Sequence, residues 1–316
     1  MAGSRAFPGF AHWKTAVCEP LTGDASARKY FRLRTENQTA ILMDASQVPD
    51  SVAPFVRIAR HLRQLGFSAP KLYLHDKPNG LLLLEDFGDD TFAKLLEKPG
   101  NPEKLFTLAT DVLIELHWHP RAIPETLRAY HPEKMLEDIE LFVQWRTPNV
   151  TALERDDFRA ACRAVLPLAH RVPESLLLRD YHVANLMLLP GRDGIKQAGL
   201  LDFQDAYHGP VTYDLVSLLE DARRDVPEDL QKKLLARYLA AFPALDHETF
   251  ETSLAILAAQ RHTRVLGIFE RLARHEGKLD YRRLHSPRVE RLLQKALRHP
   301  ILADVKNWME CHAHTD

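Results

Sequence analysis

Leu176 to Leu189 reads LLLRDYHVANLMLL, so two apolar runs enclose Arg179-Asp180-Tyr181-His182-Val183-Ala184-Asn185. Short apolar runs of this kind suit buried strands. A carboxylate and an amide are therefore brought out on the loop between them. Leu186–Leu189 and Ala198–Leu201 then flank Pro190-Gly191-Arg192-Asp193-Gly194, which suits a hairpin. That hairpin delivers another carboxylate, Asp202. Asp180 can orient a hydroxyl and accept its proton. Asn185 and Asp202 can offer oxygen ligands to Mg2+, a hard cation that takes one or two protein oxygens plus substrate phosphates. Phosphoryl transfer needs positioning and charge neutralisation more than covalent chemistry, so this small set can be enough. Taken alone, the Asp and Asn would read as an ordinary polar turn. The third carboxylate and the surrounding organisation favour the chemical reading.

The chain before this loop reads as strands plus one helix. Tyr30–Arg34 and Thr39–Asp44 are β-prone runs joined by the polar turn Thr35-Glu36-Asn37-Gln38. Val52, Phe55, Val56, Ala59, Leu62 and Leu65 recur at helical spacing, and Gly66 ends that helix. Lys71–His75 and Leu81–Glu85 are two more strands, and the polar stretch Glu85–Asp90 is the expected hinge. Beyond it, apolar stripes through Leu105–Leu116, Phe158–Ala169, Leu230–Tyr238 and Val289–Ala296 predict helices. The expectation is an α+β chain in two lobes. Residues 1–86 form an antiparallel sheet plus helix, and residues 87–316 form a mainly helical lobe.

Composition narrows the function classes. Lys plus Arg number 42 and Asp plus Glu 43, which lacks the basic surplus of a general nucleic-acid binder. Three scattered cysteines make no disulfide framework. MAGSRAFPGF holds no apolar run long enough for a signal peptide, and no segment suits a membrane span. The expectation is a cytoplasmic protein with no nucleic-acid or membrane partner; oligomeric state is left open. His117-Trp118-His119 and Cys311-His312-Ala313-His314 lack a four-ligand zinc pattern.

Arg179-Asp180 through Asn185, followed by Leu201-Asp202-Phe203, resembles the catalytic and metal-binding segments of the protein-kinase-like fold, in its aminoglycoside phosphotransferase variant. GDASARKYFR (Gly23–Arg32), LLLLEDFGDD (Leu81–Asp90), RDYHVANLML (Arg179–Leu188), GLLDFQDAYHGPVTYDLVSLLED (Gly199–Asp221) and RVLGIFERL (Arg264–Leu272) are similar to one subgroup. Its members are bacterial anomeric kinases of N-acetylmuramate and N-acetylglucosamine, active in cell-wall recycling. The resemblance implies ATP and Mg2+ as cofactors and a small sugar as acceptor. It implies Asp180 as the catalytic carboxylate, with Asn185 and Asp202 as Mg2+ ligands. Gly23, Asp24 and Ser26 stand where the phosphate loop lies, and Glu85 ends the strand whose main chain meets adenine. Asp214, in TYDL, matches a family Asp that either caps a helix or anchors the catalytic loop.

Two departures stand out. Thr39–Ser46 has no Lys, and the helix from Pro54 to Leu65 has no Glu. The ion pair usual in this fold is thus missing as a pair, consistent with the cost of a lone buried charge. Arg28, Lys29 and Arg32 are candidate replacements, with Arg28 preferred because it lies nearest the turn. A solvated turn arginine is the plainer reading. Leu178 also stands where relatives often have His.

From Gln260 to His299 there are eleven Lys or Arg against four Asp or Glu. That bias suits an anionic acceptor better than a polycation, and Arg261, His262 and Arg264 are candidate contacts. Two other readings stay open: a kinase for an aminoglycoside, choline or homoserine type of acceptor, and a non-catalytic nucleotide-binding module.

Overall fold

The computed structural model describes residues 13, 15–21 and 28–312. These divide into two compact units, one of residues up to Gly100 with Ala184–Asp205, the other of Asn101–Val183 with the described residues from Ala206 on. The sequence expectation put the change of lobe between residues 86 and 87. The structure divides after Gly100 and groups the 184–205 segment with the first unit.

In the first unit, β1 (Val17–Leu21), β2 (Lys29–Arg34), β3 (Thr39–Asp44), β4 (Leu72–Asp76) and β5 (Leu81–Glu85) form an antiparallel sheet in the order β1-β2-β3-β5-β4. The turn between β2 and β3 closes where Thr35 N–H donates to the Gln38 carbonyl at 2.9 Å. Helix α1 (Val52–Gln64) buries Val52, Phe55, Val56, Ile58, Ala59 and Leu62. It ends at Gly66, whose φ of +93° favours a residue without Cβ. A short helix α2 (Phe92–Leu95) follows, capped by Thr91.

The later hairpin joins this unit through its backbone. Leu200 N–H donates to the Ser68 carbonyl at 2.8 Å, and Leu188 N–H to that of Asp90 at 2.8 Å. Phe203, just past the hairpin, stacks on Phe55 of α1 with ring centroids 5.1 Å apart. These bonds and this aromatic contact are local facts of three-dimensional pairing, which is why a division drawn along the chain does not foresee them.

The second unit holds α3 (Pro102–Trp118), α4 (Pro132–Trp145), α5 (Ala152–Val165), α6 (Thr212–Leu219), α7 (Glu228–Ala241), α8 (His247–Glu276), α9 (Ser286–Ala296) and α10 (Ala303–His312). A two-stranded antiparallel ribbon, β6 (Glu174–Leu177) with β9 (Tyr207–Pro210), sits among them. The remaining strands, β7 (Leu186–Leu188) and β8 (Ala198–Leu200), are the hairpin of the first unit.

Helix α8 carries no single stripe because it is buried continuously from Ile256 to Thr263, polar residues included. A helix enclosed on every side has no amphipathic signal to read. It crosses α4 at Gly267, where an added Cβ would stand 2.5 Å from the backbone of Leu141 and Phe142.

Candidate active site

The residues singled out in the sequence fall in both units, and each group has its own local geometry. In the second unit, β6 runs into the turn Leu178-Arg179-Asp180. Its strand partner β9 fixes it in register, with Ser175 opposite Gly209. The turn is tight: Asp180 N–H donates to the Leu178 carbonyl at 2.8 Å, and His182 N–H to that of Asp180 at 3.1 Å. Arg179 sits in the left-handed region at φ +66°, costly for a residue with a Cβ.

Three groups hold it there. The Asp214 carboxylate of α6 accepts the N–H of Leu178 at 2.6 Å and of Arg179 at 2.9 Å. Ser217 Oγ donates to the Arg179 carbonyl at 3.3 Å and accepts from Arg261 Nη2 at 2.7 Å. Tyr181 OH donates to the Ala109 carbonyl of α3 at 2.8 Å. Asp214 is thus an anchor of the turn.

Burial raises the Asp180 carboxyl, but the guanidiniums of Arg264 and Arg261, then His182 and Arg179, outweigh it and hold the group below its ordinary value. The result is a carboxylate kept ionised among cations, able to accept a hydrogen bond from a hydroxyl.

The three candidate acceptor contacts differ in placement. Arg261 is 4% exposed and bonded to Ser217. His262 is 1% exposed, with Nε2 2.7 Å from Glu220. Arg264 keeps 17% of its side chain exposed and lies 3.5 Å from Asp138.

Sequence reading missed Asp138. It lies in α4, where its Oδ2 accepts from Tyr130 OH at 2.8 Å and from Arg179 Nη2 at 2.7 Å. Lys134 pairs with its other oxygen at 3.0 Å. The available signal was a helix start at His131-Pro132-Glu133, with Pro at the first helical position.

In the first unit, the β7–β8 register pairs Leu186 with Leu200. Leu201 N–H then donates to the Asn185 carbonyl at 3.0 Å, so Asn185 and Asp202 share one end of the hairpin. Asp202 adopts φ +58°, and its Oδ1 accepts from Gln204 Nε2 at 2.9 Å and Arg28 Nη2 at 3.0 Å. One carboxylate and one amide, all hard oxygen donors, fit Mg2+ when phosphate oxygens complete its shell.

Of the three candidate cations, Arg28 is the one paired with Asp202. Arg32 is fastened to the segment after β5: Nε lies 2.8 Å from Asp86, Nη1 donates to Asp89 at 2.8 Å and Nη2 to the Gly88 carbonyl at 2.9 Å. Lys29 is exposed. Glu85 donates its N–H to the Lys71 carbonyl at 2.9 Å and pairs through its carboxylate with Arg192 and Arg63. Gly23, Asp24 and Ser26 lie outside the described residues.

At least one histidine of each pair has a local partner, and His314 lies outside the described residues. His117 Nδ1 meets Tyr238 OH at 2.7 Å, and burial lowers its pKa to about 3. His312 packs on Trp308 at 4.9 Å. Among the described residues no group of three or more His, Cys, Asp or Glu is arranged to hold a metal, and no helix is long and apolar enough to cross a membrane.

Residues 17–249 match the phosphotransferase enzyme family. The chain is 33% identical, over 92% of its length and 91% of the relative's, to a Caulobacter vibrioides protein named N-acetylmuramate/N-acetylglucosamine kinase. A Pseudomonas aeruginosa protein of the same name is 34% identical over 94% of this chain and 89% of its own. The fold is similar to that of the choline kinase LicA from Streptococcus pneumoniae, with a TM-score of 0.65 at 16% identity over 93% of this chain and 96% of that one. A match running from β1 into α8, with the antiparallel sheet and helical remainder of that fold, makes the chain a kinase belonging to the phosphotransferase enzyme family.

Proposed function

We propose that this protein is an ATP-dependent kinase that phosphorylates the anomeric hydroxyl of N-acetylmuramate or N-acetylglucosamine, in the cytoplasm, as a step of cell-wall recycling. The observation that carries the reading is Asp180, held ionised by Arg264 and Arg261 on a backbone turn anchored by Asp214. The kinase names of the relatives support the choice of acceptor.

In this reading the sheet unit, which includes Asn185 and Asp202, serves the nucleotide and the helical unit the acceptor. The anomeric oxygen attacks the γ-phosphorus, the bond from that phosphorus to the bridging oxygen of ADP breaks, and Asp180 takes the hydroxyl proton late. An ordinary Asp has a pKa of about 3.9 and is a weak base. The anomeric hydroxyl is more acidic than a simple alcohol, which lessens the mismatch. Mg2+ bound by Asn185 and Asp202 would neutralise phosphate charge as it moves to the leaving group. Arg28 supplies the positive charge that the strand Lys supplies elsewhere in this fold. The roles of Gly23, Asp24 and Ser26 toward the phosphates rest on the sequence resemblance alone, and the Glu85 main chain meets adenine. Arg264, the candidate with solvent access, meets the lactyl carboxylate of N-acetylmuramate, with Arg261 behind it. His262 serves through Glu220.

The test is ADP release with Mg-ATP and N-acetylmuramate, N-acetylglucosamine, choline or kanamycin, each beside Asp180→Asn. Turnover of either amino sugar that depends on Asp180, with phosphorus NMR placing the phosphate on C1, is expected. Turnover of choline or kanamycin alone would overturn the assignment.

A further inference from the structure

Arg179 is strained and yet is not glycine. Its φ of +66° is one of two positive values among the described non-glycine residues, and glycine would adopt it freely. A side chain kept at such a position points to a use for that side chain. The Arg179 guanidinium lies 5.0 Å from the ring centroids of both Tyr130 and Tyr207. It donates to Asp138 Oδ2 at 2.7 Å. Arg264 approaches the same oxygen only loosely, at 3.5 Å. Tyr130 OH takes a further share of it and is itself fixed by Gln260 Nε2 at 2.8 Å. Two arginines therefore compete for one carboxylate oxygen, and Arg179 holds it.

We propose that Arg179 is a positioning residue: by occupying Asp138 it leaves Arg264 available to Asp180. Without Arg179, Arg264 closes on Asp138, and Asp180 loses its foremost cationic neighbour. Among the described residues the charged groups that act on Asp180 include Arg264 and Arg261 from α8, Arg179 and His182 from the turn, and Asp214 from α6. Among them Arg264 is the one whose partner can change, because Arg261 is bonded to Ser217.

The role of Asp180 as the proton acceptor rests on the proposed function, so the test has one readout that needs no acceptor. Asp180 is titrated by carboxyl carbon NMR in the free enzyme, assigned by difference from Asp180→Asn. Arg179→Gly should move that titration upward. With the acceptor, it should lower kcat by about tenfold or more and leave the KM for ATP within about twofold. Adding Asp138→Asn removes the competitor for Arg264 and should return both the titration and most of kcat. Loss of the Arg179 charge by itself also moves the titration upward, so the rescue discriminates: with a purely structural Arg179 the second substitution only adds damage and kcat does not recover.

An unmoved titration in Arg179→Gly, or a double variant no better than the single, overturns the proposal. Should Arg179→Gly fail to fold, Arg179→Met is read for the same rescue by Asp138→Asn. If the wild-type protein turns over neither amino sugar, the proposed function fails, and the titration still decides the role of Arg179.

Discussion

Asp214 accepts the backbone N–H groups of Leu178 and Arg179 on its two carboxylate oxygens, at 2.6 and 2.9 Å. Burial pushes its pKa up to about 7, against the pull of those two N–H groups and of Arg261. The sign of the pH effect follows. Between the ordinary Asp range and about 7 the folded chain keeps a proton that the unfolded chain has released. The contribution of this group to stability is complete below the unfolded pKa and is lost as pH rises through the folded one. Asp214→Asn cannot titrate, so its stability relative to wild type should improve with rising pH by up to about 1.4 kcal/mol per unit. The gain should level off above about pH 7. Urea midpoints across that range check it, and a constant difference between the two proteins would contradict the raised ionisation.

Arg28 stands 3.0 Å from Asp202. If it carries phosphate charge in place of the absent strand Lys, Arg28→Ala should raise the KM for ATP by about tenfold, the loss of one charge-assisted contact of roughly 1.4 kcal/mol. Steady-state kinetics at saturating Mg2+ read this. An unchanged KM with a lower Mg2+ requirement would make Arg28 only a counter-ion of Asp202.

Gly267 sets a sign by competition between two effects. Alanine is better than glycine in a helix by about 1 kcal/mol. Its Cβ, however, would lie 2.5 Å from the carbonyl carbon of Leu141 and the nitrogen of Phe142, where backbone cannot yield as a side-chain tip can. Overpacking of this kind costs roughly 1–3 kcal/mol, so Gly267→Ala should lower the melting temperature. A neutral or raised melting temperature would show that α4 and α8 can separate at little cost.

Arg32 and Arg34 lie on the same strand and should respond unequally. Arg32 is buried and faces Asp86, whose side chain is 5% exposed, so its removal strands a buried carboxylate. Arg32→Ala should destabilise by about 3 kcal/mol or more. Arg34 pairs with Glu19 in the open, with side chains 46% and 50% exposed, and Arg34→Ala should cost under about 1 kcal/mol. Chemical denaturation of the two variants measures the contrast, and equal losses would refute it.

Residue order along the chain was enough to set the local elements whose chemistry repeats. The β-prone runs became β2, β3 and β5 with little change of bounds, the stripe from Val52 to Leu62 became α1, and the hairpin after Asn185 formed where Pro190–Gly194 placed it. The kinase family was legible too, in the resemblance carried by the Arg179–Asn185 and Leu201–Phe203 segments, which fall within the matched residues 17–249. The tertiary structure alone decided how side chains far apart in the chain are matched. It gave Arg28 to Asp202 and Arg32 to Asp86 and Asp89, although the two arginines look alike in one short stretch. It brought Asp138 to Arg179 from forty-one positions away, and it buried His262 against Glu220. Propensity and periodicity report on neighbours within a turn or two. A buried ion pair is chosen by which charges the packed helices leave without water, and that selection exists only once the helices are packed.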